Sequence, residues 1–127
     1  MGKRIDLNEC IDMITILPVL ACFAVGKTEI YNASIARRKE SDRISSIVKE
    51  LSKMGAKIEE KEDGLVIYPS SLYGAKLESY SDHRMALSLS IAALGATGES
   101  EISDVSCIDK TYTSFKYDFQ LLGAFIE

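Results

Sequence analysis

Charged side chains collect at two places where the sequence predicts that a helix begins. The run 37–43 (Arg-Arg-Lys-Glu-Ser-Asp-Arg) precedes an amphipathic segment, and the run 82–84 (Asp-His-Arg) precedes an apolar one. On a helix, Lys39 and Arg43 share a face, as do Glu40 and Arg43, because they are four and three residues apart. The first turn of a helix also offers unpaired N–H groups and a partial positive charge. Two cations and one carboxylate at such a turn predict a site for an anionic group such as phosphate or carboxylate.

Each of these residues also has an ordinary structural interpretation. Asp42 or Ser41 can cap the helix that follows, and Glu40 with Arg43 can form a surface pair worth a few tenths of a kcal/mol. His83 can be a hydrogen-bonded structural histidine, and Asp12 can cap the apolar segment that begins beside it. Spacing alone therefore leaves both interpretations open.

The elements that must position these charges form an internal repeat, offset by about seventy residues. Both passes contain an aspartate, an apolar stretch, a glycine, a β-like run, a lysine and an amphipathic segment that ends in Gly-Ala. These lie at Asp12, 13–25, Gly26, 28–31, Lys39 and 55–56 in the first pass, and at Asp82, 85–94, Gly95, 101–103, Lys110 and 123–124 in the second. The alternation of strands and helices predicts an α/β fold of two units, residues 1–70 and 71–127.

Hydrophobic spacing predicts the individual elements. One helix is predicted by an apolar face made of Ile44, Ile47, Val48, Leu51 and Met54. Gly55 follows it in the position of a left-handed cap. A shorter helix is predicted near the end of the chain by Phe115, Phe119 and Leu122, with Gly123 as its cap.

Two further elements are predicted by turn residues and by composition. The pair Asp63-Gly64 predicts a hairpin between strands at 57–60 and 65–68. The stretch 13–25 is apolar all round, so we expect a buried helix there. Because Pro18 would disrupt a helix interior, that helix should be kinked at Pro18 or begin near it.

Composition excludes several classes of protein. The chain has 127 residues, 46% of them apolar and 27% charged, with a formal net charge of −4, as is typical of a globular domain. No apolar run is long and uncharged enough to cross a bilayer, and the order of residues at the N-terminus differs from that of a signal peptide. The negative charge, the lack of Trp and the lack of an aromatic row beside the basic residues argue against a nucleic-acid or membrane partner.

The cysteines point to a reduced compartment. Cys10, Cys22 and Cys107 are scattered and odd in number, which favours a cytoplasmic location. With a single His and no paired cysteines, a Cys/His zinc site is excluded. We expect the three cysteines to be small core residues.

Three ordered motifs resemble one enzyme family. They are Lys39-Glu40-Ser41-Asp42-Arg43, Asp82-His83-Arg84-Met85-Ala86 and Lys110-Thr111-Tyr112, with Asp12 ahead of them. Together they resemble the C-terminal part of the 5-enolpyruvylshikimate-3-phosphate (EPSP) synthases, also called 3-phosphoshikimate 1-carboxyvinyltransferases. The resemblance covers almost the whole chain. The related UDP-N-acetylglucosamine enolpyruvyl transferases share the fold but typically lack the first two motifs, so they are the alternative within the superfamily.

The resemblance implies an activity and an architecture. The family transfers the enolpyruvyl group of phosphoenolpyruvate to the 5-hydroxyl of shikimate 3-phosphate and releases phosphate, a step in the biosynthesis of aromatic amino acids. It uses no metal or organic cofactor. The implied fold is a domain of the inverse α/β half-barrel type, built from βαβαββ units. This chain would hold the last two units of one such domain.

The resemblance also implies roles in proton transfer. Asp12 matches the aspartate that contacts the hydroxyls of shikimate 3-phosphate and can act as the base. Glu40 matches the glutamate proposed to handle the methylene proton. Lys39 matches a lysine near the substrate hydroxyls and is a second candidate for proton transfer.

Phosphoenolpyruvate binding is implied for four other residues. Arg43 and Arg84 match the arginines that bind the phosphoenolpyruvate carboxylate, which suits the planar fork of a guanidinium group. Lys110 matches a lysine on the phosphate side, and His83 lines the same site. Arg37 is expected to be a supporting charge.

The chain departs from the family in two respects. Members are much longer, so we expect a fragment that lacks an N-terminal portion with most contacts to shikimate 3-phosphate, and that is inactive by itself. The family usually has a proline where this chain has Thr113. A non-catalytic anion-binding module made of the duplicated α/β unit is the alternative from a different functional class.

Overall fold

Four short strands form a mixed sheet in the computed structural model, which describes residues 3–39 and 41–103. In chain order they are β1 (Lys3–Asp6), β2 (Thr28–Tyr31), β3 (Lys57–Lys61) and β4 (Gly64–Tyr68), and they lie side by side in the order β1-β2-β4-β3. Strand β1 is parallel to β2, whereas β4 is antiparallel to both β2 and β3.

Helices connect these strands and a second, smaller sheet. A 3-10 turn (Ile11–Ile14) and helix α1 (Ile16–Cys22) join β1 to β2, and a 3-10 turn (Ser34–Arg38) leads into helix α2 (Arg43–Lys53). After β4 come strand β5 (Lys76–Glu78), helix α3 (His83–Gly95) and strand β6 (Glu101–Ser103), with β5 and β6 paired in parallel.

One hydrophobic core holds the two parts together. Helix α3 packs against both α1 and α2, and α1 and α2 each contact β4. Met85 and Leu89 of α3 are buried in the same cluster as Ile47 of α2 and Ile67 of β4. The residues that begin α2 and α3 are therefore fixed relative to one another by a shared core.

Several predicted elements are confirmed. Ile44, Ile47, Leu51 and Met54 are fully buried on one face of α2 and its cap, and Gly55 follows with a φ of 93°. The turn at 62–63 joins β3 and β4 as an antiparallel hairpin. Pro18 lies in the first turn of α1, where a missing N–H costs no hydrogen bond.

The expectation that the apolar stretch 13–25 is buried all round is wrong. Leu20 and Phe23 are 53% and 49% exposed. Helix α1 packs against α3, β4 and the 3-10 turn before it, and this packing leaves Leu20 and Phe23 about half exposed. The cysteine expectation is half wrong as well: Cys22 is buried but Cys10 is exposed. Cys107 lies outside the described residues.

The described part of the second unit resembles the start of the first. In both β1-α1-β2 and β5-α3-β6, a helical connection joins two parallel strands. The predicted helix around Phe115 and its cap at Gly123 lie outside the described residues, so the division into two units at residue 70 stays a prediction. Within residues 3–39 and 41–103, no helix has the length and apolar character needed to span a membrane.

Candidate active site

A buried guanidinium group joins three separate segments of the chain. Arg43 begins α2 and is only 1% exposed. Its Nε and Nη2 donate to Oδ2 and Oδ1 of Asp82 at 2.8 and 3.0 Å, and its Nη1 donates to Oδ1 of Asp12 at 2.9 Å. The Asp82 contact is bidentate, the geometry in which an arginine binds a carboxylate most strongly. The ion pair therefore fixes the start of α2 against the start of α3.

Asp82 is the N-cap of α3 and is completely buried. Its Oδ1 accepts from the backbone N–H of Arg84 at 3.0 Å, and its Oδ2 accepts from the Ser41 hydroxyl at 2.8 Å. Burial by itself raises the pKa of Asp82, but the hydrogen bonds from Arg43 and Ser41 and the charge of Arg43 outweigh it. The pKa of Asp82 is therefore held below its usual value, and the residue remains an anion.

Asp12 is the exposed centre of the cluster. Its side chain is 45% exposed, and besides Arg43 it lies 3.9 Å from Lys39 Nζ and 3.7 Å from Arg84 Nη2. The capping interpretation of Asp12 is wrong, because the cap position of its 3-10 turn is Cys10 and no side chain caps that turn. Three cations instead converge on one solvent-accessible carboxylate.

The N-terminus of α2 is held by a separate set of contacts. Asp42 caps the helix and accepts from the Ser45 N–H at 3.1 Å, which confirms the capping interpretation of that residue. Arg37 bridges Asp42 at 3.0 Å and Glu60 of β3 at 2.9 Å. It also donates to the backbone carbonyl of Lys61 at 2.7 Å. Arg37 thus ties the hairpin to the helix that carries Arg43.

The structure brings four of the seven predicted site residues into one cluster. They are Asp12, Lys39, Arg43 and Arg84. His83 is the first residue of α3, next to Asp82, and is partly buried. Glu40 and Lys110 lie outside the described residues.

The sequence matches a family model described as EPSP synthase (3-phosphoshikimate 1-carboxyvinyltransferase) over residues 1–119. The chain belongs to the EPSP synthase family. Curated relatives named 3-phosphoshikimate 1-carboxyvinyltransferase include one from Chlamydia pneumoniae, 49% identical over 126 residues, and one from Chlamydia caviae, 53% identical over 114 residues. The matches cover 99% and 90% of this chain but 28% and 26% of those relatives.

Solved structures agree with this family assignment. An EPSP synthase from Acinetobacter baumannii superimposes with a TM-score of 0.81 at 32% identity, over 84% of this chain and 26% of that one. The enolpyruvyl transferase NikO from Streptomyces tendae has a TM-score of 0.80 over 99% of this chain and 29% of that one, and at 22% identity it supports the fold alone. The predicted α/β class and the family resemblance are therefore confirmed.

The cations of the cluster differ in accessibility. The guanidinium group of Arg43 donates hydrogen bonds to both Asp12 and Asp82. The side chains of Arg84 and Lys39 are 43% and 32% exposed, and in the described part of the chain their ion-pair partner is Asp12, at 3.7 Å or more. An incoming anion can therefore reach Arg84 and Lys39 directly, whereas Arg43 is buried and not directly accessible. Among the described residues of this site, three cations therefore lie beside two carboxylates.

Sequence reasoning missed a second buried charge on α2. Glu50 is 0% exposed, and Tyr80 donates to its Oε2 at 2.8 Å. Burial alone raises the pKa of Glu50, but hydrogen bonds from Lys53, the Glu78 N–H and Tyr80 outweigh it and hold that pKa below its usual value. The signal was present in the sequence, since a glutamate interrupts the apolar face of α2 between Ile47 and Leu51.

The backbone between Tyr80 and Asp82 is unusual. Tyr80 and Ser81 have φ values of 57° and 53°, in the left-handed region that costs a residue with a Cβ about 1–2 kcal/mol. Burial, followed by the hydrogen bond to Glu50, raises the pKa of the Tyr80 hydroxyl. Tyr80 therefore stays protonated and serves as a hydrogen-bond donor.

Proposed function

We propose that this chain supplies the phosphoenolpyruvate-binding side of an enzyme that transfers an enolpyruvyl group to the 5-hydroxyl of shikimate 3-phosphate and releases phosphate. The observation that carries this proposal is the cluster around Asp12, where Lys39, Arg43 and Arg84 meet at the starts of two helices. The EPSP synthase family match over residues 1–119 supports phosphoenolpyruvate as the anion.

In this proposal, the exposed cations bind phosphoenolpyruvate. Arg84 would take the carboxylate with its accessible guanidinium, and Arg43 would support it from the buried layer below. Lys110 and His83 would contribute to the same anion site. A guanidinium suits this task because two parallel N–H groups match the two oxygens of a carboxylate.

Acid–base chemistry is assigned to the carboxylates and to Lys39. The hydroxyl oxygen of shikimate 3-phosphate adds to C2 of phosphoenolpyruvate while the methylene carbon gains a proton, and the tetrahedral product then loses phosphate and one methyl proton. Asp12 would accept the hydroxyl proton, since it is accessible and oriented by cations. Glu40 would handle the proton on carbon, with Lys39 as the second candidate. The proposal requires no metal or organic cofactor.

The chain spans 26–30% of the length of the curated relatives it matches. We propose that the N-terminal portion of such an enzyme provides most contacts to shikimate 3-phosphate, and that this chain alone does not turn over. Orienting two reactants can be worth about 7–11 kcal/mol of barrier, and half of a cleft holds only one of them. An open half-site also leaves the accessible charges of Asp12, Lys39 and Arg84 in contact with water.

A phosphate-release assay with both substrates tests the proposal. The chain is assayed alone and then mixed with the portion of the Chlamydia pneumoniae relative that it does not cover. Turnover only on mixing, lost in Arg84→Gln and retained in Arg4→Gln, supports the assignment; Arg4 is an exposed arginine paired with Glu29 away from the cluster. Phosphoenolpyruvate binding without turnover on mixing would instead support a non-catalytic anion-binding module.

We further propose a cytoplasmic location for this reaction. Cys10 and Cys22 are both free thiols, which is usual in reducing compartments. Oxidation of either thiol in protein isolated from cells under alkylating conditions would contradict it.

A further inference from the structure

Helix α2 carries two buried charges on the same face. Glu50 follows Arg43 by seven residues, which is about two helical turns. Arg43 holds Asp82, while Glu50 holds the N–H of Glu78 and the hydroxyl of Tyr80. The two side chains thus form hydrogen bonds at opposite ends of the loop that leads from β5 into α3.

Glu50 makes short contacts with both of its carboxylate oxygens. Its Oε1 accepts from the Glu78 N–H at 2.8 Å and from Lys53 Nζ at 2.9 Å. Its Oε2 accepts from the Tyr80 hydroxyl at 2.8 Å. A fully buried carboxylate needs such donors, because removing it from water is otherwise costly. The Tyr80 contact is therefore a specific connection between α2 and the loop.

The loop itself is held in a conformation that its residues do not favour. Tyr80 and Ser81 both have positive φ, and neither is a glycine. Local hydrogen bonds support the turn: the N–H groups of Ser81 and Asp82 donate to Oγ and O of Ser79 at 3.2 and 3.0 Å. Such a conformation persists only where the surroundings over-determine it. The hydrogen bond from the Tyr80 hydroxyl to Glu50 is a contact from α2 that holds the first of these two residues.

We infer that Glu50, acting through Tyr80, is a positioning residue: it fixes the left-handed turn at Tyr80 and Ser81 and so aims Asp82 at Arg43 and the first turn of α3, with Arg84, at the anion site. Glu50 itself contacts the loop and Lys53, so its effect on an anion is indirect. The consequence for anion binding rests on the proposed function, whereas the effect on the loop does not.

Amide hydrogen exchange on the 127-residue chain tests the effect on the loop. In Tyr80→Phe, the amides of Asp82 and Arg84 should exchange about tenfold faster, since the hydrogen bond to Glu50 no longer restrains the turn. The amide of Gly55, which donates to Ser52 at the far end of α2, should keep its rate. Unchanged exchange at Asp82 and Arg84, or an equal rise at all three amides, would overturn the inference.

Tyr68→Phe is the matched control for hydroxyl removal. The Tyr68 hydroxyl also lies near a glutamate, 3.5 Å from Oε1 of Glu59, but this pair is exposed on the hairpin. The control should leave exchange at Asp82 and Arg84 unchanged. Faster exchange at those amides in Tyr68→Phe would count against a specific role for Tyr80.

Binding of phosphoenolpyruvate, measured by calorimetry, tests the consequence for the site. Glu50→Gln and Tyr80→Phe should each weaken binding about five- to tenfold. The affinity of the double variant should be no lower than that of the weaker-binding single variant, because both substitutions act through one contact. Parent-like affinity in both single variants would overturn the link to the site. If the parent chain binds no phosphoenolpyruvate, the proposed function fails, and the exchange experiment decides the positioning role by itself.

Discussion

Arg43 and Asp82 form a fully buried, bidentate ion pair between the first turn of α2 and the N-cap of α3, with N–O distances of 2.8 and 3.0 Å. The two residues are separated by 39 positions in the sequence. Asp12 adds a third contact from the accessible side. The pair couples stability to the geometry of the proposed anion site, because the same contact anchors the starts of α2 and α3.

Replacing Asp82 with Asn should destabilise the fold by about 3 kcal/mol. The substitution leaves the buried Arg43 with only the partly exposed Asp12 as a carboxylate partner among the described residues, and breaking a buried pair typically costs about 3–5 kcal/mol. Urea unfolding at neutral pH measures the change. Glu29→Gln, which breaks the exposed pair with Arg4, should cost less than about 1 kcal/mol. Equal costs for the two variants would contradict the prediction.

Asp82 should also contribute to acid unfolding. Its pKa is lowered in the folded chain, so its contribution is fully present above the unfolded value of about 3.9 and is lost as the pH falls through the folded pKa. The unfolding free energy of the parent should therefore decrease as the pH drops below about 4, and Asp82 should account for part of this decrease. Glu50, whose pKa is also lowered, adds to this loss.

A pH series of urea unfolding experiments checks this expectation. Asp82→Asn should reduce the slope of stability against pH below about pH 4, because one carboxylate no longer titrates. The parent and the variant should become more alike in stability as the pH falls. Parallel curves through the acid range would show that Asp82 makes no contribution there.

Much of the scaffold could be predicted from local sequence signals. The apolar spacing from Ile44 to Met54 gave α2, and a single turn gave the β3–β4 hairpin, because both depend on neighbours in sequence. The full burial expected for residues 13–25 was wrong at Leu20 and Phe23, since burial depends on which elements pack over a helix.

Only part of the candidate site could be predicted from the sequence, because its contacts join residues that are far apart in the chain. Motif resemblance selected Arg43 and Arg84, but helical spacing within one segment could not show that Asp82 would lie under Arg43. Glu50 was missed because two of its partners, Glu78 and Tyr80, lie 28 and 30 residues further along the chain. Long-range pairing of buried charges has no local periodicity to reveal it.

Gly64 should tolerate no side chain. A Cβ at Gly64 would lie 1.8 Å from the carbonyl oxygen of Ile30 and 2.7 Å from its carbon, so Gly64→Ala would force β4 away from β2. We expect a loss of about 4 kcal/mol or more in unfolding free energy, at the upper end of point substitutions. Urea unfolding measures it.

Gly95→Ala is the control for Gly64→Ala. The nearest atom to a Cβ at Gly95 is Phe23 Cζ at 2.7 Å, the tip of a ring that is 49% exposed and can turn aside. Alanine also favours the helix by up to about 1 kcal/mol. The Gly95 variant should therefore stay within about 1 kcal/mol of the parent, and a loss as large as that of Gly64→Ala would refute the argument.

Substitutions at Arg84 and at Arg43 should differ in their effects on anion binding and on stability. Arg84→Gln removes a cation whose side chain is 43% exposed and lies 3.7 Å from Asp12. The substitution should weaken phosphoenolpyruvate binding about tenfold, as expected for loss of a charge-assisted contact. Its unfolding free energy should change by less than about 1 kcal/mol. Arg43→Gln should weaken binding and also lower the unfolding free energy by about 3 kcal/mol, because it leaves Asp82 buried without its main cation.

Calorimetric titration and urea unfolding on the same samples measure both quantities, with Arg4→Gln as the control for removing an exposed arginine. Equal destabilisation by Arg84→Gln and Arg43→Gln, or parent-like binding in Arg84→Gln, would show that the two arginines are not divided in this way.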